Sequence, residues 1–258
     1  MMDLDLSGRT ALVTGASLGI GAATVRLLAD HGATVAFCAR GAEAVDELAT
    51  YSDAVHGYTA DMADAESTSA FLDAVTSDLG GVDILVNNVG ASPSRNFLYM
   101  EDAEWEQLFQ LNLMSAVRSS RHVLPHMREQ KWGRIVMIST MGAMYPNAAL
   151  IDYAATKAAM ISTGKALAGK YARDGVLVNS ILPGLVYTPM WERAMNEVAE
   201  ATGKSTDDVM AAQSKSVPIG RYADPEEVAN TIVFLCSEAA SYITGSAIYV
   251  DGGAASHI

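Results

Sequence analysis

The sequence has only two cysteines, Cys38 and Cys236, among its 258 residues. They lie in apolar segments without the close spacing of metal ligands, which favours buried thiols in a reducing compartment over a disulfide framework. No apolar run approaches the roughly 20 residues needed to cross a bilayer, so the pattern predicts no membrane span. Residues 1–6 lack the basic and apolar stretches of a secretory signal. We therefore expect a cytoplasmic protein.

Positive charge is also scarce. Lysine and arginine number 17 against 30 aspartates and glutamates, which gives a formal net charge of −13. This balance argues against nucleic acid or an anionic membrane surface as a partner, and against a nucleic-acid-binding regulator. Half of the residues are hydrophobic and only 18% are charged, as expected for one compact domain. An anionic ligand then needs a local electropositive site.

Short apolar runs typical of β-strands alternate with stretches of helical periodicity along the whole sequence. The predicted strands are residues 10–13, 34–39, 55–59, 82–87, 134–138, 176–181 and 247–250. The longest predicted helices are residues 102–129 and 149–171. The alternation predicts an α/β fold, in which one doubly wound, Rossmann-type domain over residues 1–258 has a parallel seven-stranded sheet with helices on both faces. Residues 184–221 interrupt the alternation and are a candidate substrate lid.

A glycine-rich turn follows the first predicted strand. Gly15, Gly19 and Gly21 lie between that strand and the first helix, inside a βαβ unit. Glycines there let the backbone bend sharply and approach a pyrophosphate, whose charge meets the amides at a helix N-terminus. The position of the turn is more specific than the glycine pattern alone, and it predicts a dinucleotide site.

The end of the second strand indicates which dinucleotide is bound. An acidic residue there favours the free 2′-hydroxyl of NAD(H), whereas an arginine accommodates the 2′-phosphate of NADP(H). The sequence has Arg40 and no carboxylate at this place, so NADP(H) is favoured over NAD(H). A solvated arginine without a ligand is the alternative.

Tyr153 and Lys157 are four residues apart on a predicted helix and therefore share one face. A nearby ammonium stabilises phenolate, so we expect Lys157 to lower the pKa of Tyr153 and make it a proton donor and acceptor. Ser139 follows the strand 134–138, where its hydroxyl could hold a substrate oxygen. Asn112 lies within a long helix, where a buried amide needs a partner.

Several ordered motifs together resemble the short-chain dehydrogenase/reductase family, in particular bacterial 3-oxoacyl-carrier-protein reductases and polyol dehydrogenases. The motifs are Thr14-Gly-x-x-x-Gly19-Ile20-Gly21, Asn87-Asn88-x-Gly90, Asn112, Ser139, Tyr153-x-x-x-Lys157 and Pro183-Gly184. The resemblance makes Tyr153 the general acid or base, has Ser139 orient the substrate, has Lys157 bind the nicotinamide ribose, and has Asn112 hold a water. It further implies a homotetramer, with residues 102–129, 149–171 and 244–258 contributing contacts.

The residues expected to bind the cofactor combine the glycine turn, Arg40 and positions implied by the resemblance. They are Gly15, Ser17, Leu18, Gly19, Ile20, Gly21, Arg40, Asp61, Met62, Asn88, Gly90, Tyr153, Lys157, Pro183, Gly184, Val186 and Thr188.

Apolar residues near the proposed active-site loops predict a substrate pocket, although core packing explains each of them equally well. They are Met141, Tyr145, Tyr187, Met190 and Trp191. A pocket of this kind suits a moderately hydrophobic ketone or secondary alcohol, and the chemistry requires no metal. The alternatives are an NAD-dependent polyol or hydroxysteroid dehydrogenase, and a non-catalytic dinucleotide sensor.

Overall fold

The computed structural model describes residues 3–255 of the chain. Within that range seven strands form one sheet in the order β3-β2-β1-β4-β5-β6-β7, and neighbouring strands are parallel. The strands are β1 (Thr10–Thr14), β2 (Thr34–Ala39), β3 (Val55–Thr59), β4 (Ile84–Asn87), β5 (Gly133–Ile138), β6 (Val176–Pro183) and β7 (Ala247–Val250). The predicted doubly wound sheet is confirmed.

Helices connect successive strands and cover both faces of the sheet. They are α1 (Gly19–Asp30), α2 (Ala42–Ala49), α3 (Ala65–Leu79), α4 (Asp102–Phe109), α5 (Ser115–Glu129), α6 (Ile151–Tyr171), α7 (Pro189–Thr202), α8 (Thr206–Ser214) and α9 (Pro225–Cys236). Helices α1 and α9 pack together on one face, and α3, α5 and α6 lie on the other.

The strands are apolar on both faces because both faces are covered. In β1, Ala11 and Val13 join the core beneath α1 and α9, whereas Leu12 between them joins the core beneath α3, α5 and α6. All three side chains are fully buried. Consecutive side chains of a strand point to opposite faces, so a continuous apolar run supplies both cores at once.

The sheet reverses its winding direction at β1. Leu12 of β1 pairs with Ala36 of β2 on one side and with Leu85 of β4 on the other. The crossovers from β1 to β2 and from β3 to β4 therefore run to opposite sides and leave a crevice at the carboxyl ends of these strands. Open α/β sheets bind their ligands in such a crevice.

Four strand ends differ from the sequence prediction: β1 ends and β5 begins one residue outside the predicted range, and the other two ends differ by two residues. Strand β4 begins at Ile84, where pairing with Ala11 starts, although Val82 just before it is equally apolar and buried. Strand β6 extends beyond the predicted residue 181 to Pro183, which lies opposite Val250 at the end of the ladder. A proline is compatible with a strand end because few ladder hydrogen bonds need its missing N–H there.

The predicted helix 102–129 is continuous but not uniformly α-helical. Residues Gln110–Met114 form one π-helical turn between α4 and α5. Such turns are rare and are frequent at functional sites. The other long helix begins at Ile151, two residues after the predicted start at position 149.

Residues 184–221 contain two helices that the sequence reading did not foresee. Helices α7 and α8 pack on each other through a small apolar cluster of Met195, Ala199 and Val209, which is separate from the two cores of the sheet. The interpretation of this segment as a substrate lid stays a prediction.

Residues 3–255 contain neither a membrane-spanning helix nor a cluster of metal-ligating side chains. No helix in this part of the chain is long and apolar enough to cross a membrane. In the same range no group of three or more His, Cys, Asp or Glu side chains could hold a metal ion. Cys38 and Cys236 are both buried free thiols.

Candidate active site

A cleft of about 330 Å³ opens at the carboxyl ends of β1, β2 and β4, at the crevice where the sheet reverses. It is lined by Gly15, Ser17, Leu18, Gly19, Ile20, Gly21, Cys38, Ala39, Arg40, Ala60, Asp61, Met62, Asn88, Val89, Gly90, Ala91, Leu111, Thr188, Pro189, Met190 and Arg193. The wall thus combines the glycine turn, the ends of the neighbouring strands and the start of α7.

The glycine turn is held in place by β4. Gly15 and Gly19 have φ angles of +65° and +57°, a left-handed conformation that favours glycine. A Cβ atom on Gly15 would lie 2.8 Å from the Val89 side chain, so the turn also needs glycine for close packing. Asn88 Nδ2 donates to the carbonyls of Thr14 (3.1 Å) and Gly15 (2.8 Å). Asn88 therefore shapes the turn from the next strand.

Helix α1 begins at this turn without a side-chain cap. Its N-cap residue, Leu18, makes no capping hydrogen bond and is 53% exposed. The first amides of a helix lack intrahelical partners and favour an anion. The turn therefore fits a phosphate group, as the sequence predicted for a dinucleotide.

The charged residues on the cleft wall are few. Arg40, at the end of β2, is exposed and makes no hydrogen bond or ion pair within residues 3–255. Asp61 also lines the cleft, and its Oδ1 accepts the Ala63 N–H at 3.0 Å, which stabilises its own turn. Arg193 on α7 faces the cleft as well, a residue that the sequence reading did not select.

Tyr153 is partly buried in the first turn of α6. Burial raises the pKa of its phenol to about 12, although a hydrogen bond with the Thr140 side chain acts in the opposite direction. The raised pKa runs opposite to the lowering expected from Lys157, because desolvation dominates. At neutral pH Tyr153 is a protonated phenol.

The hydroxyl beside Tyr153 belongs to Thr140 and not to Ser139. Ser139 is 4% exposed, and its Oγ donates to the Lys157 main-chain carbonyl at 3.0 Å. Its N–H continues the pairing of β5 with β6 by donating to Ile181. Consecutive side chains of an extended segment point opposite ways, so Ser139 facing α6 leaves Thr140 to face Tyr153. Ser139 therefore faces α6, and its role in substrate orientation stays a prediction.

Lys157 lies directly behind the cleft wall. Its Nζ donates to the carbonyls of Ile138 (2.8 Å) and Val89 (3.3 Å) and is 6.0 Å from the centre of the Tyr153 ring. A Cβ atom on Gly90 would be 3.0 Å from this Nζ, so glycine leaves the ammonium close to the cleft. The side chain is 2% exposed, and burial lowers its pKa to about 8.

Asn112 lies in the π-helical turn and is completely buried. Its Nδ2 donates to the Ala91 carbonyl and to Thr156 Oγ1, both at 3.0 Å, and its Oδ1 accepts the Ala91 N–H at 2.9 Å. Both amide hydrogens are thus used by the protein, so the side chain cannot donate to the water that the resemblance implies. Its geometry is that of a positioning residue, which joins α6 to the wall at Ala91.

Most residues predicted to bind the cofactor line the cleft. Tyr153 and Lys157 are exceptions, because they adjoin the cleft behind Gly90. Three residues at the end of β6 and just beyond it are also exceptions. Pro183 and Val186 are buried, and the Gly184 N–H donates to Val250 at 3.0 Å. None of these three lies on the cleft wall. Their place at the nicotinamide end stays a prediction.

The five residues of the predicted substrate pocket do not share one surface. Only Met190 lines the cleft. The Trp191 ring packs with the Met195 cluster of the α7–α8 segment, and its buried Nε1 has no hydrogen-bond partner within residues 3–255. The Tyr145 ring lies 6.4 Å from that of Tyr249, whereas Met141 is partly buried and Tyr187 exposed.

Sequence reasoning missed several wall residues, namely Cys38, Ala39, Ala60, Val89, Ala91, Leu111, Pro189 and Arg193. Most are apolar and carry no motif. Arg193 could have been found, because it lies four residues after Pro189, the first residue of α7, and therefore shares the face of Pro189. Thr140 could have been found as the second hydroxyl of a Ser-Thr pair.

Comparisons with known proteins agree with this geometry. The family model described as Enoyl-(Acyl carrier protein) reductase matches residues 15–255. The chain is 41% identical over 260 residues to the Uncharacterized oxidoreductase YvrD of Bacillus subtilis, covering 98% of both chains. It is 36% identical over 257 residues to the 3-oxoacyl-[acyl-carrier-protein] reductase FabG of Aquifex aeolicus, with 98% and 99% covered. The chain belongs to the short-chain dehydrogenase/reductase family.

A solved structure of this family has nearly the same fold. L-sorbose reductase from Gluconobacter frateurii, complexed with NADPH and L-sorbose, is 36% identical, with a TM-score of 0.95 and 100% of both chains covered. The predicted family resemblance is confirmed. This short-chain dehydrogenase/reductase is accordingly an oxidoreductase that acts on carbonyl or alcohol groups.

Proposed function

We propose that this chain is an NADP(H)-dependent ketoreductase in which Tyr153 protonates the substrate carbonyl oxygen and Thr140 orients it. The observation that carries the proposal is the pairing of Tyr153 with Lys157 directly behind the cleft wall at Gly90, where the Lys157 Nζ lies 6.0 Å from the centre of the phenol ring. Burial there raises the phenol pKa to about 12. A phenol that stays protonated at neutral pH is in the form required to give a proton to a developing alkoxide.

The residues around Tyr153 complete the proposed proton site. Lys157 is held by the carbonyls of Ile138 and Val89, so its ammonium stays beside the phenol and close to Gly90. Its positive charge stabilises the phenolate that remains after proton transfer. Asn112 holds Ala91 and Thr156 in place and so fixes the wall opposite the helix of Tyr153 and Lys157.

The nucleotide cleft supports NADP(H) as the cofactor. When bound, NADP(H) supplies or accepts the hydride. Arg40 is an unpaired guanidinium at the end of β2, where a 2′-phosphate is recognised, and no carboxylate occupies that place. The related L-sorbose reductase is complexed with NADPH, which agrees with this choice.

We propose a ketone as the physiological substrate, enclosed by the segment of α7 and α8. Met190 extends from the start of α7 onto the cleft wall, so a movement of this helix would change the shape of the site. Free ketones, ketoses and β-ketoacyl thioesters all present the carbonyl that Tyr153 requires, and substrate trials are needed to distinguish them.

The decisive experiment measures NADPH oxidation at 340 nm with a panel of hydrophobic ketones, ketoses and β-ketoacyl thioesters. Turnover by the wild type and its loss by at least 100-fold in Tyr153→Phe, with NADPH affinity kept, is the expected result. Wild-type rates in Tyr153→Phe would contradict the proposed proton donor. Turnover only with NAD⁺ and polyols or hydroxysteroids would favour the alternative dehydrogenase. Nucleotide binding with no turnover on any substrate would favour the sensor.

The proposal includes assembly as a homotetramer, on grounds of family resemblance. Helices α5 and α6 present a groove lined partly by apolar side chains, among them Val117, Leu124, Leu167 and Tyr171. The C-terminal contact segment 244–258 was also predicted, but its residues 256–258 lie outside the described part. Light scattering on the protein as it elutes from a size-exclusion column tests this assembly. A monomer at micromolar concentration would contradict it.

A further inference from the structure

We propose that Arg193 of α7 is a binding residue for the cofactor pyrophosphate, so that the nucleotide ties the α7–α8 segment to the glycine turn. This inference rests on the proposed function, because it assumes that the cleft takes a nicotinamide nucleotide. It concerns a residue that neither the glycine motif nor the catalytic residues include.

The cleft must hold an anionic cofactor in an acidic protein. The protein carries a net charge of −13, and the cleft wall includes the carboxylate of Asp61. A dinucleotide adds a pyrophosphate and, in NADP(H), a 2′-phosphate. Arg40 and Arg193 are the cationic side chains on the described wall, and the glycine turn between Gly15 and Gly21 has none. These two guanidinium groups therefore supply positive charge on the wall itself, in addition to the α1 amides and the Lys157 ammonium behind Gly90.

Arg193 is free to bind a phosphate group. It is exposed and has no hydrogen bond or ion pair within residues 3–255. Other arginines of the chain, such as Arg128 and Arg221, are paired with carboxylates at 2.7 Å and 2.6 Å. An unpaired guanidinium on a cleft wall matches the bidentate geometry of phosphate oxygens.

The place of Arg193 in the cleft also suits the pyrophosphate. Thr188 caps α7, and its methyl carbon would lie 3.0 Å from a Cβ atom on Gly19, so α7 starts against the glycine turn. Pro189 and Arg193 are four residues apart on this helix and both line the cleft. Arg40 lies at the end of β2, on the adenosine side. Arg193 therefore faces the phosphate-binding turn, and Arg40 faces the 2′-position.

The two arginines predict different selectivities, and these provide the test. We would titrate NADPH and NADH into wild type, Arg193→Gln, Arg40→Gln and the control Lys204→Gln, following nucleotide fluorescence to obtain Kd. Lys204 is exposed just after α7, so its substitution makes the same change in charge away from the cleft. Arg193→Gln should weaken NADPH and NADH by the same factor, roughly tenfold. Arg40→Gln should weaken NADPH alone.

A second ligand separates the phosphate groups directly. 2′-AMP carries the 2′-phosphate and no pyrophosphate. Its affinity, measured by displacement of NADPH, should therefore change in Arg40→Gln and stay unchanged in Arg193→Gln. Hydrogen exchange of the α7 amides gives an independent readout. NADPH should slow exchange in the wild type and slow it less in Arg193→Gln.

Each result decides for or against the inference. Unchanged Kd values in Arg193→Gln, or the same loss in Lys204→Gln, would overturn it. Weakened binding of NADPH and 2′-AMP with NADH unaffected would place Arg193 at the 2′-phosphate instead and also overturn it. A wild type that binds neither nucleotide would remove the proposed function itself, which is a separate outcome.

Discussion

The Ser139 hydroxyl donates a hydrogen bond to the Lys157 main-chain carbonyl at 3.0 Å and so faces α6. Ser139 joins the end of β5 to α6, whereas the next side chain, Thr140, forms a hydrogen bond with Tyr153. Two adjacent hydroxyls thus have different tasks. Ser139 supports the helix that carries Tyr153, and Thr140 is available to a substrate oxygen.

Substitutions at these two positions should therefore differ in kind. Thr140→Val should lower kcat for ketone reduction by about 100-fold, because the substrate oxygen loses a donor. Thr140→Ser should keep most of the activity. It serves as the control because its hydroxyl can still accept the Gly142 N–H, which Thr140 Oγ1 accepts at 3.2 Å. Ser139→Ala should lower the free energy of unfolding by about 1 kcal/mol, with kcat nearly unchanged. A large loss of kcat in Ser139→Ala beside an active Thr140→Val would reverse the assignment.

The pKa of Tyr153 predicts opposite pH dependences for the two reaction directions. Ketone reduction needs the protonated phenol, and with a pKa of about 12 that form persists throughout pH 6–9. Alcohol oxidation needs the phenolate, whose fraction increases tenfold for each pH unit below the pKa. We expect kcat/KM for oxidation to rise from pH 7 to about 8 and to level off above it, because Lys157, with a pKa of about 8, then loses the charge that stabilises the phenolate. Reduction should show no loss from Tyr153 ionisation.

Initial rates in both directions, measured every half unit of pH, check this prediction. Absorbance titration at 295 nm of the nucleotide-free protein, with Tyr153→Phe subtracted, tests the pKa itself and should show no Tyr153 ionisation below about pH 10. Ionisation of Tyr153 near pH 8 in this titration would show that its pKa is not raised.

Lys157 should make stability depend on pH. Burial lowers its pKa to about 8 from an ordinary value of 10.5. Between these values the unfolded chain binds the proton more readily than the folded one, so this residue's contribution to stability rises with pH. Below pH 8 folding bears the full cost of burying the ammonium, and above pH 10.5 the cost is absent.

Urea unfolding of wild type and Lys157→Met at pH 7, 8, 9 and 10 measures this effect. As the pH rises, the free energy of unfolding should increase more for the wild type than for the variant, since methionine does not titrate. A difference that stays constant across this range would show that the Lys157 pKa is not lowered.

Arg95, in the loop after β4, joins that loop to α4 and α6. Its guanidinium contacts Glu104 and Asp152, each at 3.1 Å, and Asp152 is only 1% exposed in the first turn of α6 beside Tyr153. Removing the cation leaves a buried carboxylate without its partner, which costs about 3 kcal/mol or more for a buried pair, and somewhat less here because Arg95 is partly exposed.

Arg95→Met should therefore destabilise the protein by about 2 kcal/mol, and Arg95→Met combined with Asp152→Asn should recover part of that loss. Urea unfolding of the two single variants and the double variant measures the coupling. Additive effects would show that the ion pair contributes nothing beyond its separate side chains.

Local patterns were sufficient for the sheet but not for all of its boundaries. The strand positions follow largely from apolar runs, because strands buried on both faces are rich in apolar residues. Val82 satisfies the same requirement outside the ladder, so the beginning of β4 at Ile84 was misplaced. Apolarity reports burial, whereas a strand end is fixed by backbone pairing with a neighbour distant in sequence.

The sequence by itself determined the doubly wound sheet, the glycine turn and the Tyr153–Lys157 pair, since strand period, helix spacing and backbone freedom at glycine are local properties. Only the tertiary structure decided that Thr140 and not Ser139 contacts Tyr153, that burial outweighs Lys157 in setting the phenol pKa, and that Arg193 reaches the cleft. These outcomes depend on which way a side chain points and how much water surrounds it. Elements far apart in the chain set both.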